Sequence, residues 1–135
     1  MMWARMVWSA SGGGASAMFL DQLSQISNRI DGALALSLVA RDGMPVESVS
    51  SDPGLDLEVL AAELVNQVRS ITENHRELGV GEVQHLSVTT DRLTLMVSSV
   101  AADYYLLLVL GPDGNYGRAR FELRRARLLL EADLS

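Results

Sequence analysis

Two stretches of the chain carry apolar side chains at consecutive rather than alternating positions, Ala33–Ala40 and Tyr104–Leu110. Successive side chains of a strand point to opposite faces, so Tyr104, Leu106, Leu108 and Leu110 cover one side while Tyr105, Leu107 and Val109 cover the other. Both faces need a roof, which makes these two segments central strands. Tyr104–Leu110 is too short for a stable isolated helix, and the Gly111-Pro112-Asp113-Gly114 run ends any regular element. Helical spacing appears in three other places. Phe19, Leu23, Ile26 and Ile30 predict a first helix from Phe19 to Ile30, ended by Asp31-Gly32. Asp56 caps the longest one, from Leu57 to Leu78, with Leu57, Leu60, Ala61, Leu64, Val68, Ile71, His75 and Leu78 as its inward stripe. Asn115 caps a last helix from Tyr116 to Leu134, with Tyr116, Ala119, Leu123, Ala126 and Leu130 inward and Gly117 allowing a close approach to the sheet.

Three further strands complete the pattern. Arg41-Asp42-Gly43 turns the chain into Met44–Ser50, which Pro45 marks as an edge strand because proline cannot donate to a ladder. Glu82–Thr89, Leu93–Val100 and Tyr104–Leu110 then run as a meander with turns at Thr90-Asp91-Arg92 and Ala101-Ala102-Asp103. The fold class is α+β, an α/β/α sandwich around a five-stranded antiparallel sheet. Its spatial order is second, first, fifth, fourth, third (2-1-5-4-3), with the long helix on one face and the other two helices on the other. Glu82–Thr89 is left at a sheet end with unpaired backbone groups, an edge that proteins cover or pair with another chain.

Composition narrows the function. With 135 residues and 48% hydrophobic content the chain reads as one domain, residues 18–135, preceded by a disordered tail, residues 1–17, that ends in Ser11-Gly12-Gly13-Gly14. Met18 reads as an alternative start of translation. Arg5 interrupts the apolar N-terminal run, which disfavours a secretory signal, and no run is apolar enough for an integral membrane span. No cysteine is present, which removes disulfides and thiolate chemistry and fits a cytoplasmic setting. The 11 basic residues are all arginine against 17 acids, a net charge of -6. That balance disfavours nucleic acid, whose phosphates are bound by many cations.

Candidate chemistry is sparse. His75 and His85, without clustered carboxylates, make no metal site, and no cofactor is implied. There is no Gly-X-Ser-X-Gly elbow, so no catalytic residue is assigned and the chain is read as a non-enzyme. Asp113-Gly114-Asn115 lacks the further carboxylates of a calcium loop. Arg118, Arg120, Arg124, Arg125 and Arg127 crowd the last helix and read as a solvated face, favoured at the C-terminal end by the helix dipole. The outer face of the long helix differs: Val59, Ala62, Asn66, Arg69, Ser70 and Glu73 leave its backbone open to an approaching surface.

Several local sequences together resemble the Roadblock family, and within it the MglB-type bacterial polarity regulators that act on a Ras-like GTPase. The matching residues are Asp31-Gly32-Ala33, Val39–Val46 across the hairpin, Glu58–Val65, Asp103–Leu107 and Asn115–Ala126. The resemblance spans Phe19 to Leu134. It implies a homodimer in which the edge strands, through Val83, Gln84, His85, Leu86, Ser87 and Val88, pair into one continuous sheet with the two long helices side by side. It further implies that this platform, with Val59, Ala62, Asn66, Arg69, Ser70 and Glu73, contacts a Ras-like small GTPase and biases its switch loops without supplying an arginine finger. Roadblock domains also serve as adaptors, so pairing with another Roadblock protein, without effect on hydrolysis, is the alternative.

Overall fold

Tyr104–Leu110 lies in the middle of the sheet with both faces covered, every residue from Tyr105 to Leu110 being buried. The computed structural model describes residues 6–9 and 14–134, with side chains described from residue 19 to 134. In chain order the elements are β1 (Met6–Ser9), α1 (Gly14–Asn28), β2 (Ala33–Ala40), β3 (Pro45–Ser50), α2 (Leu57–His75), β4 (His85–Thr89), β5 (Thr94–Val100), β6 (Tyr104–Leu110) and α3 (Tyr116–Leu134). All pairings are antiparallel, in the order β1-β3-β2-β6-β5-β4. The five strands expected from the sequence thus take their expected order.

The alternation along β6 sorts the core into two layers. Leu106, Leu108 and Leu110 meet Leu36 and Leu38 of β2, Met96 and Val100 of β5, the α1 residues Phe19, Leu23 and Ile26, and Ala119, Leu123, Ala126 and Leu130 of α3. Tyr105 and Leu107 face the other way, with Val39, Val97 and the α2 residues Ala61, Leu64, Val65 and Val68. Each fully buried leucine contributes roughly 1.5–3 kcal/mol of transfer free energy, so the two-helix side holds the larger share of the apolar stabilisation.

Caps and turns follow local chemistry. Asp56 Oδ1 accepts the Val59 N–H at 3.2 Å, and Asn115 Oδ1 accepts the Arg118 N–H at 2.9 Å. At the β2–β3 turn Asp42 Oδ1 accepts the Met44 N–H at 3.0 Å, and Gly43 takes a φ of 94°. Gly32, at φ 86°, ends the α1 region, and its carbonyl accepts the Gly111 N–H at 2.8 Å.

Several expectations are corrected. Met6–Ser9 falls within the stretch read as a tail, yet it forms a sixth strand, with Met6 opposite Ser50 and Ser9 opposite Glu47. The first helix begins at Gly14 rather than Phe19; the rest of the tail reading, residues 1–5 and 10–13, lies outside the described residues. β3 is consequently not an outer strand, and Pro45 stands at its first position, where proline is tolerated within a sheet. β4 starts at His85 instead of Glu82, although Gln84 O still accepts the Ser99 N–H at 2.9 Å. α2 ends at His75 and tightens into a 3-10 turn over Arg76–Leu78. Every residue from Glu73 to Glu82 is exposed, so the last turn has no sheet beneath it. His75 and Leu78 therefore face solvent, while Val65, which the expected inward stripe left out, is buried beside Leu64 and Val68. On α3 the buried set contains Glu122 while Tyr116 is 41% exposed. Gly117 touches only the side chain of Asn115 and brokers no close approach.

Candidate functional site

The outer face of α2 is the first candidate surface. Val59, Ala62, Asn66, Arg69, Ser70 and Glu73 are all exposed, opposite the buried Ala61, Leu64, Val65 and Val68. Spacings of three and four residues keep them on one stripe. The β2–β3 turn flanks that stripe: a Cβ built on Gly43 would lie 3.3 Å from Ala62 Cα, so the turn backbone rests directly on the helix. Arg69 Nη2 donates to the Arg41 carbonyl and fastens the same turn further along. Met44, 48% exposed, extends the surface with an apolar side chain. Arg41, Gly43 and Met44 were missed as neighbours of this surface because the contact spans a sequence separation of 28 residues at Arg41–Arg69. The Asp42-Gly43 turn signal gave the hairpin but not what it would rest on.

β4 is the second candidate. Among the described residues it pairs only with β5, through His85 opposite Ser98, Leu86 opposite Val97, Ser87 opposite Met96 and Val88 opposite Leu95. Its two faces differ in chemistry. Leu86 packs against the α2 layer together with Val83 and Leu95, while Val88 is 38% exposed. On the opposite face His85 Nδ1 and Nε2 sit 2.8 Å and 2.7 Å from the Ser98 and Ser87 hydroxyls, and Ser87 Oγ is 3.0 Å from Tyr116 Oη. Burial, and secondarily the Arg120 guanidinium, hold the His85 imidazole below its ordinary pKa. A cation beside the ring and hydroxyls on both nitrogens are the reverse of a general base oriented by a carboxylate. This network fastens α3 to the edge strand. Val83 and Gln84, expected in the same strand, lie in the segment that leads into it.

Two of the α3 arginines, Arg118 and Arg125, flank one carboxylate. Arg118 Nη2 approaches Glu122 Oε2 at 3.1 Å and Arg125 Nη1 approaches Oε1 at 3.6 Å, with Glu122 only 1% exposed. The Arg118 approach lies off the hydrogen-bond direction, so it is an ion pair without a bond. Arg118 also stacks 5.8 Å from the Phe121 ring centroid, and Arg127 Nε bonds Glu131 Oε1 at 3.1 Å. Among the described residues no group of three His, Asp or Glu converges as metal ligands would, and no helix is long and apolar enough to cross a membrane.

No protein-family sequence model and no curated protein sequence matches the chain. Solved structures do. The gliding protein MglB from Thermus thermophilus is 19% identical over 89% of this chain and 90% of its own, with a TM-score of 0.81. A Roadblock/LC7 domain from Streptomyces avermitilis is 18% identical over 85% of this chain and 96% of its own, with a TM-score of 0.75. MglC from Myxococcus xanthus is 33% identical over 85% of this chain and 98% of its own, with a TM-score of 0.63. Shared element order, a doubly covered central strand pair and identity at that level over nearly all of MglC lead to one assignment: the chain belongs to the Roadblock/LC7 family.

Proposed function

We propose that the protein is a homodimeric regulator, without an active site of its own, that binds a Ras-like small GTPase on the outer face of α2 and modulates its GTP hydrolysis. The observation that carries this reading is the exposed α2 stripe of Val59, Ala62, Asn66, Arg69, Ser70 and Glu73, continuous with Met44 on the adjoining turn. Small side chains at Ala62 and Ser70 let a partner backbone come close. Arg69 and Glu73 supply charges of both signs for orientation. Pairing through β4 would bring together the half-buried Leu86 and the exposed Val88 of two copies and remove an unpaired edge. MglB is the name of one structural relative, and the GTPase partner comes from the resemblance that the sequence carries.

For modulation, the dimer must bind one nucleotide state better than the other, since equal affinity shifts nothing. The test is light scattering coupled to size exclusion, with the protein alone and mixed with Ras-like GTPases loaded with a GTP analogue or with GDP, followed by hydrolysis rates. A dimer that shifts only with one nucleotide form, and loses that shift in Ala62→Arg and Asn66→Arg, supports the reading. Complexes indifferent to both substitutions would refute the platform. A second reading, an adaptor that pairs with a different Roadblock chain through β4 and leaves hydrolysis unchanged, is favoured by the free edge alone and predicts preferential heterodimers.

A further inference from the structure

We infer that a cationic cleft at the C-terminal end of α2 is a binding site for a phosphorylated small molecule bearing two or more negative charges. The cleft encloses about 500 Å³ between the end of α2, the segment entering β4 and the β5–β6 turn, and Arg41, Arg69, Arg76 and Arg127 all line it, together with Glu73 and Glu82. Four of the chain's 11 arginines therefore meet two of its 17 acids, in a protein whose net charge is -6. A locally positive cleft on a negative body focuses potential and concentrates anions.

Two features make this more than a crowding of cations. Arg41 Nη1 donates to the Ala102 carbonyl at 2.7 Å and Arg69 Nη2 donates to the Arg41 carbonyl. A guanidinium held by a carbonyl is fixed in direction yet keeps its whole charge, unlike one neutralised by a carboxylate. The ion pairs among the described residues all lie on α3, so Arg127, bonded to Glu131, is the one cleft arginine with a carboxylate partner. Arg41, Arg69 and Arg76 form no ion pair, and the Glu73 and Glu82 carboxylates that share the cleft leave the arginines in excess there.

The chemistry of the ligand follows from the directions of approach. These arginines come from the end of β2, from α2 and the turn after it, and from α3. A planar carboxylate presents an edge to one fork, whereas a tetrahedral phosphate presents oxygens to several. The volume lies within the range of small-molecule sites and exceeds what a lone phosphate fills, leaving room for a second phosphoryl or an organic remainder. Arg69 and Glu73 border both this cleft and the α2 face, but the inference concerns the protein alone and does not rest on a GTPase partner.

The experiment is calorimetric titration of the full chain at low and physiological salt with inorganic phosphate, pyrophosphate and ADP. The variants are Arg76→Gln, Arg69→Gln and the control Arg92→Gln, an exposed arginine before β5 and outside the cleft. Arg76 makes no side-chain bond that the fold depends on, so its variant should keep the wild-type melting profile. Saturable pyrophosphate binding that weakens about tenfold or more in Arg76→Gln and in Arg69→Gln, and stays unchanged in Arg92→Gln, is the expected result for a lost charge-assisted hydrogen bond. ADP tighter than pyrophosphate would identify an organic phosphate as the ligand, and equal affinities the phosphate group itself. No saturable binding of any probe, or a loss equally large in Arg92→Gln, overturns the site.

Discussion

Gly32→Ala tests whether the two loops at one end of the sheet meet backbone to backbone. Gly32 has a φ of 86°, and a Cβ there would lie 2.5 Å from Gly114 Cα and 2.9 Å from Gly114 N. Placing a methyl group at positive φ costs roughly 1–2 kcal/mol by itself. Carbon atoms in contact settle at roughly 3.5–4.0 Å, so one loop must also retreat by about an ångström. That retreat strains the 2.8 Å bond from the Gly111 N–H to the Gly32 carbonyl, a bond of about 1 kcal/mol net. Together the substitution should cost about 3 kcal/mol and lower Tm by about 10 °C for a domain of this size. Gly79→Ala is the internal reference, because Gly79 also has positive φ, at 65°, yet nothing lies within 4 Å of its Cβ direction. It should carry the conformational cost alone, about 1 kcal/mol. Both are measured by urea and thermal unfolding followed by circular dichroism. If the two variants lose equal stability, the close approach of Gly32 to Gly114 is absent and the packing argument fails.

The remaining predictions concern charge and strain. Arg118→Ala and Arg125→Ala should each cost under about 1 kcal/mol, since each arginine is half-exposed, whereas the double variant strands the buried Glu122 and should cost about 3 kcal/mol; additivity in unfolding titrations would mean that the two arginines do not share the carboxylate. Because His85 is held below its ordinary pKa, its contribution to stability is complete above about pH 6.5 and declines as pH falls through the lowered folded-state value. Melting curves from pH 8 to pH 5 should therefore descend less steeply in His85→Gln than in the native chain, and identical slopes would contradict this. Ala101 holds a φ of 53° in the β5–β6 turn, so Ala101→Gly should gain about 0.5 kcal/mol, the relief of strain slightly exceeding the entropy of the added glycine; a loss of stability would place the turn in another conformation.

The architecture was legible where burial is dictated by runs and periods. Ala33–Ala40 and Tyr104–Leu110 announced themselves as doubly covered strands, and the caps at Asp56 and Asn115 were placed by local hydrogen-bonding chemistry that survives intact in the fold. What escaped reading depended on length and on distant contacts. Met6–Ser9 is only four residues, preceding a glycine run whose composition dominates any window drawn around it. The inward placement of His75 and Leu78 assumed a helix that keeps its period, while the chain tightens to a 3-10 turn beyond the sheet. The α2 stripe was legible residue by residue, because an outward face follows from the inward one. The convergence of Arg41, Arg69, Arg76 and Arg127 was not, since they come from elements whose proximity only the tertiary fold creates. Glu47 shows the same limit. An acid in a short strand of mixed polarity reads as an outward position, yet it is buried and its Oε1 has no hydrogen-bond partner.

The position of β1 bears on the order in which the molecule assembles and comes apart. Among the described residues its pairing is confined to β3, and β3 is already held on its other side by β2, so five strands form a continuous ladder without Met6–Ser9. Its ladder needs β3 as a template, and no other described strand pairs with it. The amide protons of Met6–Ser9 should accordingly exchange with solvent well ahead of those in β2 and β6, through a local opening far smaller than global unfolding. Detaching this one strand would leave the ladder β3-β2-β6-β5-β4 in place, while turning the outer side of Pro45–Ser50 into a second template for an extended chain.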